Sequence, residues 1–118
     1  MAYIVGELIE DQASGTSFIP NFANIVWDST LATSDKAILA GDLILTGLAN
    51  RQTSDSSFGT PAGYTKIGTY GRQSNQAHIW FWLKAAGGET GPTYTTVFNS
   101  ECIGITLIVR GVDATTQI

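Results

Sequence analysis

The chain has 118 residues, of which 43% are hydrophobic and only 14% are charged, and its net charge at pH 7 is −4. The six Lys and Arg residues form no cluster, so the basic patch that nucleic acid or an anionic membrane surface requires is absent from the sequence. No apolar run reaches the roughly 20 residues of a membrane span. The N-terminus lacks the features of a signal peptide, which predicts a cytoplasmic origin.

Strand signals recur through the first half of the chain. Residues 2–10 are rich in β-branched and apolar side chains and predict the first strand. Shorter strand candidates follow at residues 16–19 and 24–27, and residues 33–37 predict a short helical turn. Residues 43–49 are apolar at successive positions, which predicts a strand covered on both faces.

The second half continues the same pattern. Residues 50–59 form a polar stretch, which we expect to be a loop and a place for variable contacts. Further strands are predicted at residues 64–70, 77–84, 94–98 and 103–109. No segment has the length and period of an amphipathic helix. The chain is therefore predicted to be a single all-β domain over residues 1–118, an antiparallel β-sandwich or a jelly roll.

Residues 77–84 give the strongest strand signal, because bulky side chains stand on both faces. One face carries His78, Trp80 and Trp82, and the other carries Ile79, Phe81 and Leu83. We expect this strand to be central in its sheet. The predicted structural core comprises Trp80, Trp82, Phe81, Ile105 and Leu107.

The sequence contains no set of residues that suits catalysis. His78 is the one histidine, and in the middle of a strand it is predicted to be a packed structural residue. The acidic residues are scattered, and Cys102 is the one cysteine, in an apolar run that predicts a buried, inert thiol. We therefore predict a protein that is not an enzyme, with no catalytic residue, no metal ligand and no cofactor.

Aromatic residues allow a second interpretation, because jelly rolls often bind sugars on exposed rings. Tyr64 and Tyr70 flank predicted turns and are the candidates for weak glycan contact. On this alternative the chain is a carbohydrate-binding adhesion module that attaches a particle to glycans of a host surface.

Four segments, taken in order, resemble a recurring all-β domain of tail and other structural proteins of bacteriophages and prophages. The match runs from about Gly41 to Asp113, and residues 94–98 fit the strand expected between the last two segments. The segments are Ala40-Gly41-Asp42-Leu43-Ile44-Leu45, Thr60-Pro61-Ala62-Gly63-Tyr64-Thr65, Ile79-Trp80-Phe81-Trp82-Leu83-Lys84-Ala85-Ala86-Gly87-Gly88 and Val109-Arg110-Gly111-Val112-Asp113.

The resemblance implies a jelly-roll-like sandwich without enzymatic activity. It implies a virion structural or assembly protein of a tailed bacteriophage, placed in the tail, in the fibre or baseplate region, or on the capsid as a decoration protein. It transfers no ligand residue. Gly41, Gly63 and Gly111 are expected in turns, and Asp42 is expected to accept backbone hydrogen bonds.

The same resemblance suggests partners. Relatives usually continue beyond the last segment, so this chain is expected to be an incomplete copy of the domain or one completed in an oligomer. We expect other virion proteins as partners and a homo-oligomer, with a trimer favoured by analogy. The expected contacts are residues 50–59 or the two chain ends, since the first strand is able to pair across chains.

Overall fold

The computed structural model describes residues 2–12, 17–50, 59–73, 76–95 and 101–112. This part of the chain forms eight β-strands and two 3₁₀ turns. The strands are β1 (Tyr3–Gln12), β2 (Ser17–Phe18), β3 (Val26–Trp27), β4 (Leu43–Asn50), β5 (Thr65–Gln73), β6 (Gln76–Lys84), β7 (Tyr94–Thr95) and β8 (Cys102–Arg110). The 3₁₀ turns span Phe22–Asn24 and Thr33–Asp35, and within these ranges no helix is long and apolar enough to cross a membrane.

Six strands form one antiparallel sheet in the order β3-β1-β8-β4-β6-β5, and β2 pairs with β7 in a second, small sheet. The predicted all-β, antiparallel, sandwich-like architecture is confirmed. β4 and β8 lie in the middle of the sheet, and β6, which was predicted to be central, is an interior strand that pairs with β4 on one side and with the edge strand β5 on the other. The first strand, β1, pairs within the chain, with β8 and β3.

The hydrophobic core lies on one side of the large sheet, which we call the inner face. Two groups of buried side chains fill it, and Tyr64 packs against both. The first group is Val5, Leu8, Ile25, Ile38, Ile44, Ala85 and Ile108. The second is Phe18, Leu48, Ile79, Phe81, Tyr94 and Cys102, and it is closed by the small sheet, which supplies Phe18 and Tyr94.

Close approach of the two sheets depends on a glycine in β8. The ring of Phe18 lies against Gly104, where a Cβ atom would be 2.6 Å from a ring carbon. Beside this contact the hydroxyl groups of Thr46 and Thr106 form a buried hydrogen bond of 3.1 Å between neighbouring strands. Small or mutually satisfied side chains on the inner face therefore leave room for the aromatic rings of the second layer.

Candidate interaction face

The other side of the large sheet, which we call the outer face, carries every second residue of its strands. Pairing of neighbouring strands aligns these residues in four rows that run across the sheet. The rows are Asp11–Ile103–Ala49–His78, then Ile9–Ile105–Gly47–Trp80–Ile67, then Val26–Glu7–Leu107–Leu45–Trp82–Thr65, and last Ile4–Val109–Leu43–Lys84. Most of these side chains are apolar, although they point away from the core.

Several of the apolar side chains are in contact with solvent. Ile9 is 67% exposed, Ile103 47%, Ile105 37% and Trp80 36%. Isolated exposed apolar residues are ordinary, but contiguous apolar patches mark binding surfaces. The outer face is thus the candidate functional site of this protein.

Of the five residues predicted to form the core, only Phe81 is buried. Trp80 and Ile105 are exposed rather than buried, while Trp82 and Leu107 are half-buried on the same outer face. Phe81 is fully buried, because the alternation of the strand turns it to the inner face. The two tryptophans and Ile105 have the opposite parity, and no layer of the described chain covers them.

Trp80 lies flat on the sheet. Its indole packs on Gly47 of the neighbouring strand, where a Cβ atom would come within 2.6–2.7 Å of three ring atoms. The absence of a side chain at Gly47 lets the ring rest on the backbone. A shallow depression of about 170 Å³ lies beside the ring and is lined by Gly47, Leu48, Ala49, His78, Trp80, Ile103 and Ile105.

Charge on the outer face is divided between its two sides. The carboxylates of Glu7 and Asp11 stand on β1, and the ammonium group of Lys84 and the imidazole of His78 stand on β6, three strands further across. His78 is exposed, so the predicted packed histidine is wrong. It lies in a strand, as predicted, but no layer formed by the described residues covers its face of the sheet.

Three of the segments quoted for the phage resemblance meet at one end of the sheet. Arg110 binds Asp42 with two parallel hydrogen bonds, Nε to Oδ1 at 2.9 Å and Nη2 to Oδ2 at 2.8 Å. Asp42 also accepts a bond of 2.9 Å from the backbone NH of Leu39, which confirms the expected role of this carboxylate. The backbone NH of Gly41 donates a hydrogen bond of 2.8 Å to the carbonyl of Ala85.

The backbone conformation at this junction explains why glycine occupies two of its positions. Gly41 has φ +91° and Gly111 has φ +83°, both in the left-handed region that side chains disfavour. The guanidinium of Arg110 further donates to the carbonyls of Asp35 and Ala37 at 3.0 and 2.8 Å. Its hydrogen bonds to Asp42 raise the pKa of Arg110. The motif residues therefore hold the loops together, and the pairing with Arg110 was not predicted from the sequence.

The predicted glycan contact fits the structure poorly. Tyr64 packs against the core, edge-on to Tyr94 with ring centres 6.1 Å apart. Its hydroxyl is buried with no hydrogen-bond partner within the described ranges, so it offers a sugar no polar group. Burial raises the pKa of Tyr64. Tyr70 lies in β5, but its side chain is outside the described part of the structure.

The thiol of Cys102 is hidden from the outer face. Cys102 is buried, as predicted, and burial raises the pKa of its thiol to about 12. Such a thiol is a poor nucleophile at neutral pH. Within the described ranges, no group of three or more His, Cys, Asp and Glu residues is placed to hold a metal ion. What the outer face can do is bind a flat or complementary apolar surface.

Comparison of the chain with protein-family models, with curated proteins and with solved structures returns no match.

Proposed function

We propose that this protein is a non-enzymatic structural or assembly protein of a tailed bacteriophage particle, attached to other protein chains through its outer face. The observation that carries the proposal is the apolar outer face itself. A sheet face that bears Ile9, Ile103, Ile105 and Trp80 in contact with solvent is costly for a free monomer. In an assembly the same face is covered and contributes to binding.

Composition supports the same role. Charged residues make up only 14% of the chain, so its surface has little charge with which to keep copies apart. The location in a phage particle rests on the resemblance of the quoted segments. Their junction around Asp42 and Arg110 has the character of a structural support rather than of a reactive site, since both side chains are committed to mutual and backbone hydrogen bonds.

The test is the presence of the protein in purified particles. Antibodies raised against the chain are used for immunogold electron microscopy of virions from the source strain, with free protein removed by density gradient. We expect label at one repeated position on each particle. Absence of the chain from purified virions, with the protein present in the rest of the lysate, would contradict the proposal.

Attachment through the outer face is tested with a pair of matched variants. Ile105→Lys places a charge in the middle of that face, whereas Ile19→Lys changes an exposed isoleucine outside it. We expect particles to incorporate the Ile19→Lys chain normally and the Ile105→Lys chain poorly. Equal incorporation of both variants would show that another surface makes the attachment.

A second candidate function is glycan binding, now at Trp80 rather than at the tyrosines. The observation in its favour is an indole that lies flat on Gly47 with one side open to solvent and a depression beside it. Flat aromatic rings stack on sugars through the same apolar contact. A glycan array probed with the native chain and with Trp80→Ala tests this candidate, which fails if no glycan discriminates between the two proteins.

A further inference from the structure

We infer that the outer face binds the outer face of a second copy of this chain, in a sheet-on-sheet pair whose two-fold axis runs parallel to the strands between β8 and β4. The inference deepens the proposed function, and it rests on that proposal in taking the outer face to be a protein-binding surface. Three features of the face carry it: its area, the distribution of its charges and the relief around Trp80.

The area is sufficient for a stable pair. Five long strands at about 4.8 Å spacing, each about eight residues long with a rise of about 3.3 Å, cover about 600 Å² of flat surface. Two such faces packed together remove at least about 1,200 Å² from water, which lies in the range of specific interfaces. Packing of two twisted sheets with their strands nearly aligned is an established arrangement for faces of this kind.

The position of the carboxylates on β1 selects the direction of the axis. A two-fold axis along the strands, between β8 and β4, places β1 over β6 of the second copy and keeps each row of residues over the same row. Asp11 then lies over His78 of the second copy, because the two residues stand in the same row on β1 and β6, and the imidazole can donate a hydrogen bond to the carboxylate. An axis across the strands would instead place β1 over β1, and Glu7 and Asp11 would face the acidic side of the second copy.

The shape of the outer face, with an exposed Ile105 beside the depression at Gly47, fits the same arrangement. The row Ile9–Ile105–Gly47–Trp80 has Ile105 next to Gly47, on the two strands that flank the axis. The two-fold axis places Ile105 over Gly47 of the second copy. Ile105 would thus enter the depression beside Trp80, where the strand carries no side chain of its own.

A two-fold pair replaces the trimer that analogy favoured. Closed rings of three need two different, complementary surfaces on each copy, whereas a two-fold contact uses one surface twice. The outer face is one continuous surface with the carboxylates of Glu7 and Asp11 on β1 and with Lys84 and His78 on β6. An axis along the strands therefore brings the carboxylate side of one copy over the Lys84 and His78 side of the other.

The first experiment measures the mass of the full chain in solution by sedimentation and light scattering over a wide range of concentrations. We expect a species of twice the 12.6 kDa chain mass. Ile105→Lys should weaken the pair at least about 30-fold, as expected for a central residue of an interface. Ile19→Lys, the matched exposed isoleucine outside the face, should leave the dissociation constant unchanged.

The second experiment tests the direction of the axis by exchanging charges. Asp11→Lys should weaken the pair about tenfold, and the double variant Asp11→Lys with His78→Asp should restore it. Restoration within one chain is excluded, because β1 and β6 are separated by β8 and β4 and therefore lie about 14 Å apart. Rescue thus reports contact between copies.

The outcomes separate this inference from the proposed function. A chain that stays monomeric, forms a trimer, or pairs equally well with Ile105→Lys overturns the inference, as does failure of the charge exchange to rescue. So does a monomer whose outer face binds a glycan through Trp80. If the chain fails any of these tests but immunogold still labels purified virions, the proposed structural role stands and only the two-fold pair is contradicted. If the chain forms the two-fold pair but is absent from purified virions, the pair stands and only the proposed role is contradicted.

Discussion

Asp42 and Arg110 stand at the ends of the two central strands, directly beside the paired residues Leu43 and Val109. Asp42 is buried, with 2% of its side chain exposed, while Arg110 keeps some contact with water. A buried carboxylate without its cation is strongly destabilising, because solvation and charge pairing are both lost. This pair therefore matters more for stability than a pair on the surface would.

Arg110→Ala is expected to lower the free energy of unfolding by about 3 kcal/mol, at the low end for a broken buried pair because the guanidinium is partly solvated. Arg110→Lys keeps the charge but not the two parallel hydrogen bonds, and should lose roughly half as much. Urea unfolding followed by circular dichroism measures both. An unchanged midpoint for Arg110→Ala would contradict the role assigned to this pair.

Trp80 and Phe81 are neighbours in sequence on opposite faces of β6, so they form a matched pair. Phe81→Ala should cost about 3–5 kcal/mol of stability, as do other large truncations in a core. Trp80→Ala should cost no more than about half of that, since a third of the residue is already in contact with water. Thermal unfolding at low protein concentration compares them, and equal losses would place Trp80 in the core after all.

At the scale of the elements, two glycines in neighbouring strands lie under aromatic rings on opposite faces of the sheet. Gly104 lies under Phe18 and Gly47 lies under Trp80, and at both positions a Cβ atom would be 2.6 Å from a ring atom. The two sites differ in what covers the far side of the aromatic ring. Phe18 is enclosed in the core, while Trp80 has solvent above it.

Gly104→Ala should therefore destabilise the protein by about 1–3 kcal/mol through overpacking. Gly47→Ala should cost clearly less, because the indole of Trp80 can lift away from the sheet. It should also shift tryptophan emission to longer wavelength and weaken pairing of copies. Fluorescence and urea unfolding of the two variants provide the measurement. Equal destabilisation by both substitutions would mean that the outer face is packed as tightly as the inner face.

At the scale of the whole molecule, stability should fall at alkaline pH. Burial raises the pKa of Cys102 from 9.0 to about 12 and that of Tyr94 from 10.0 to about 12. Both groups are neutral in the fold and ionise more readily in the unfolded chain. Their contribution to stability is thus fully present below about pH 9 and is lost as the pH rises toward 12.

The melting temperature is expected to be nearly constant around neutral pH and to decline above pH 9. Tyr94→Phe removes a hydroxyl at nearly constant volume, so it should flatten the decline above pH 10, while Cys102→Ala should flatten the part that begins near pH 9. Scanning calorimetry across this range measures the slopes. A decline that is identical in both variants and in the native chain would rule out these two groups as its cause.

Much of the fold was accessible from the sequence. Strand positions, the short helical turn and the all-β class follow from alternation and turn residues, which act over a few neighbouring positions. The buried thiol of Cys102 and the hydrogen bond accepted by Asp42 were also predicted. The segments quoted for the phage resemblance correctly indicated turns and strand ends. Three of them contact one another around Asp42, Ala85 and Arg110.

The direction in which each strand faces was decided by the tertiary structure. In β8 the outward residues Ile103, Ile105, Leu107 and Val109 are more hydrophobic than the inward set of Cys102, Gly104, Thr106 and Ile108. Hydrophobicity alone therefore pointed to the wrong face. Gly104 is inward because Phe18 requires its space, and Thr106 is inward because Thr46 satisfies its hydroxyl.

The sequence by itself thus determined which residues form strands and where the chain turns, since those preferences depend on a residue and its near neighbours. Only the tertiary structure decided which face of the large sheet is covered, because that depends on the small sheet formed by two-residue strands that are distant in sequence. Once β2 and β7 cover the inner face, the parity of β6 leaves Trp80 outside. The apolar outer face, and with it the candidate site, follows from that choice.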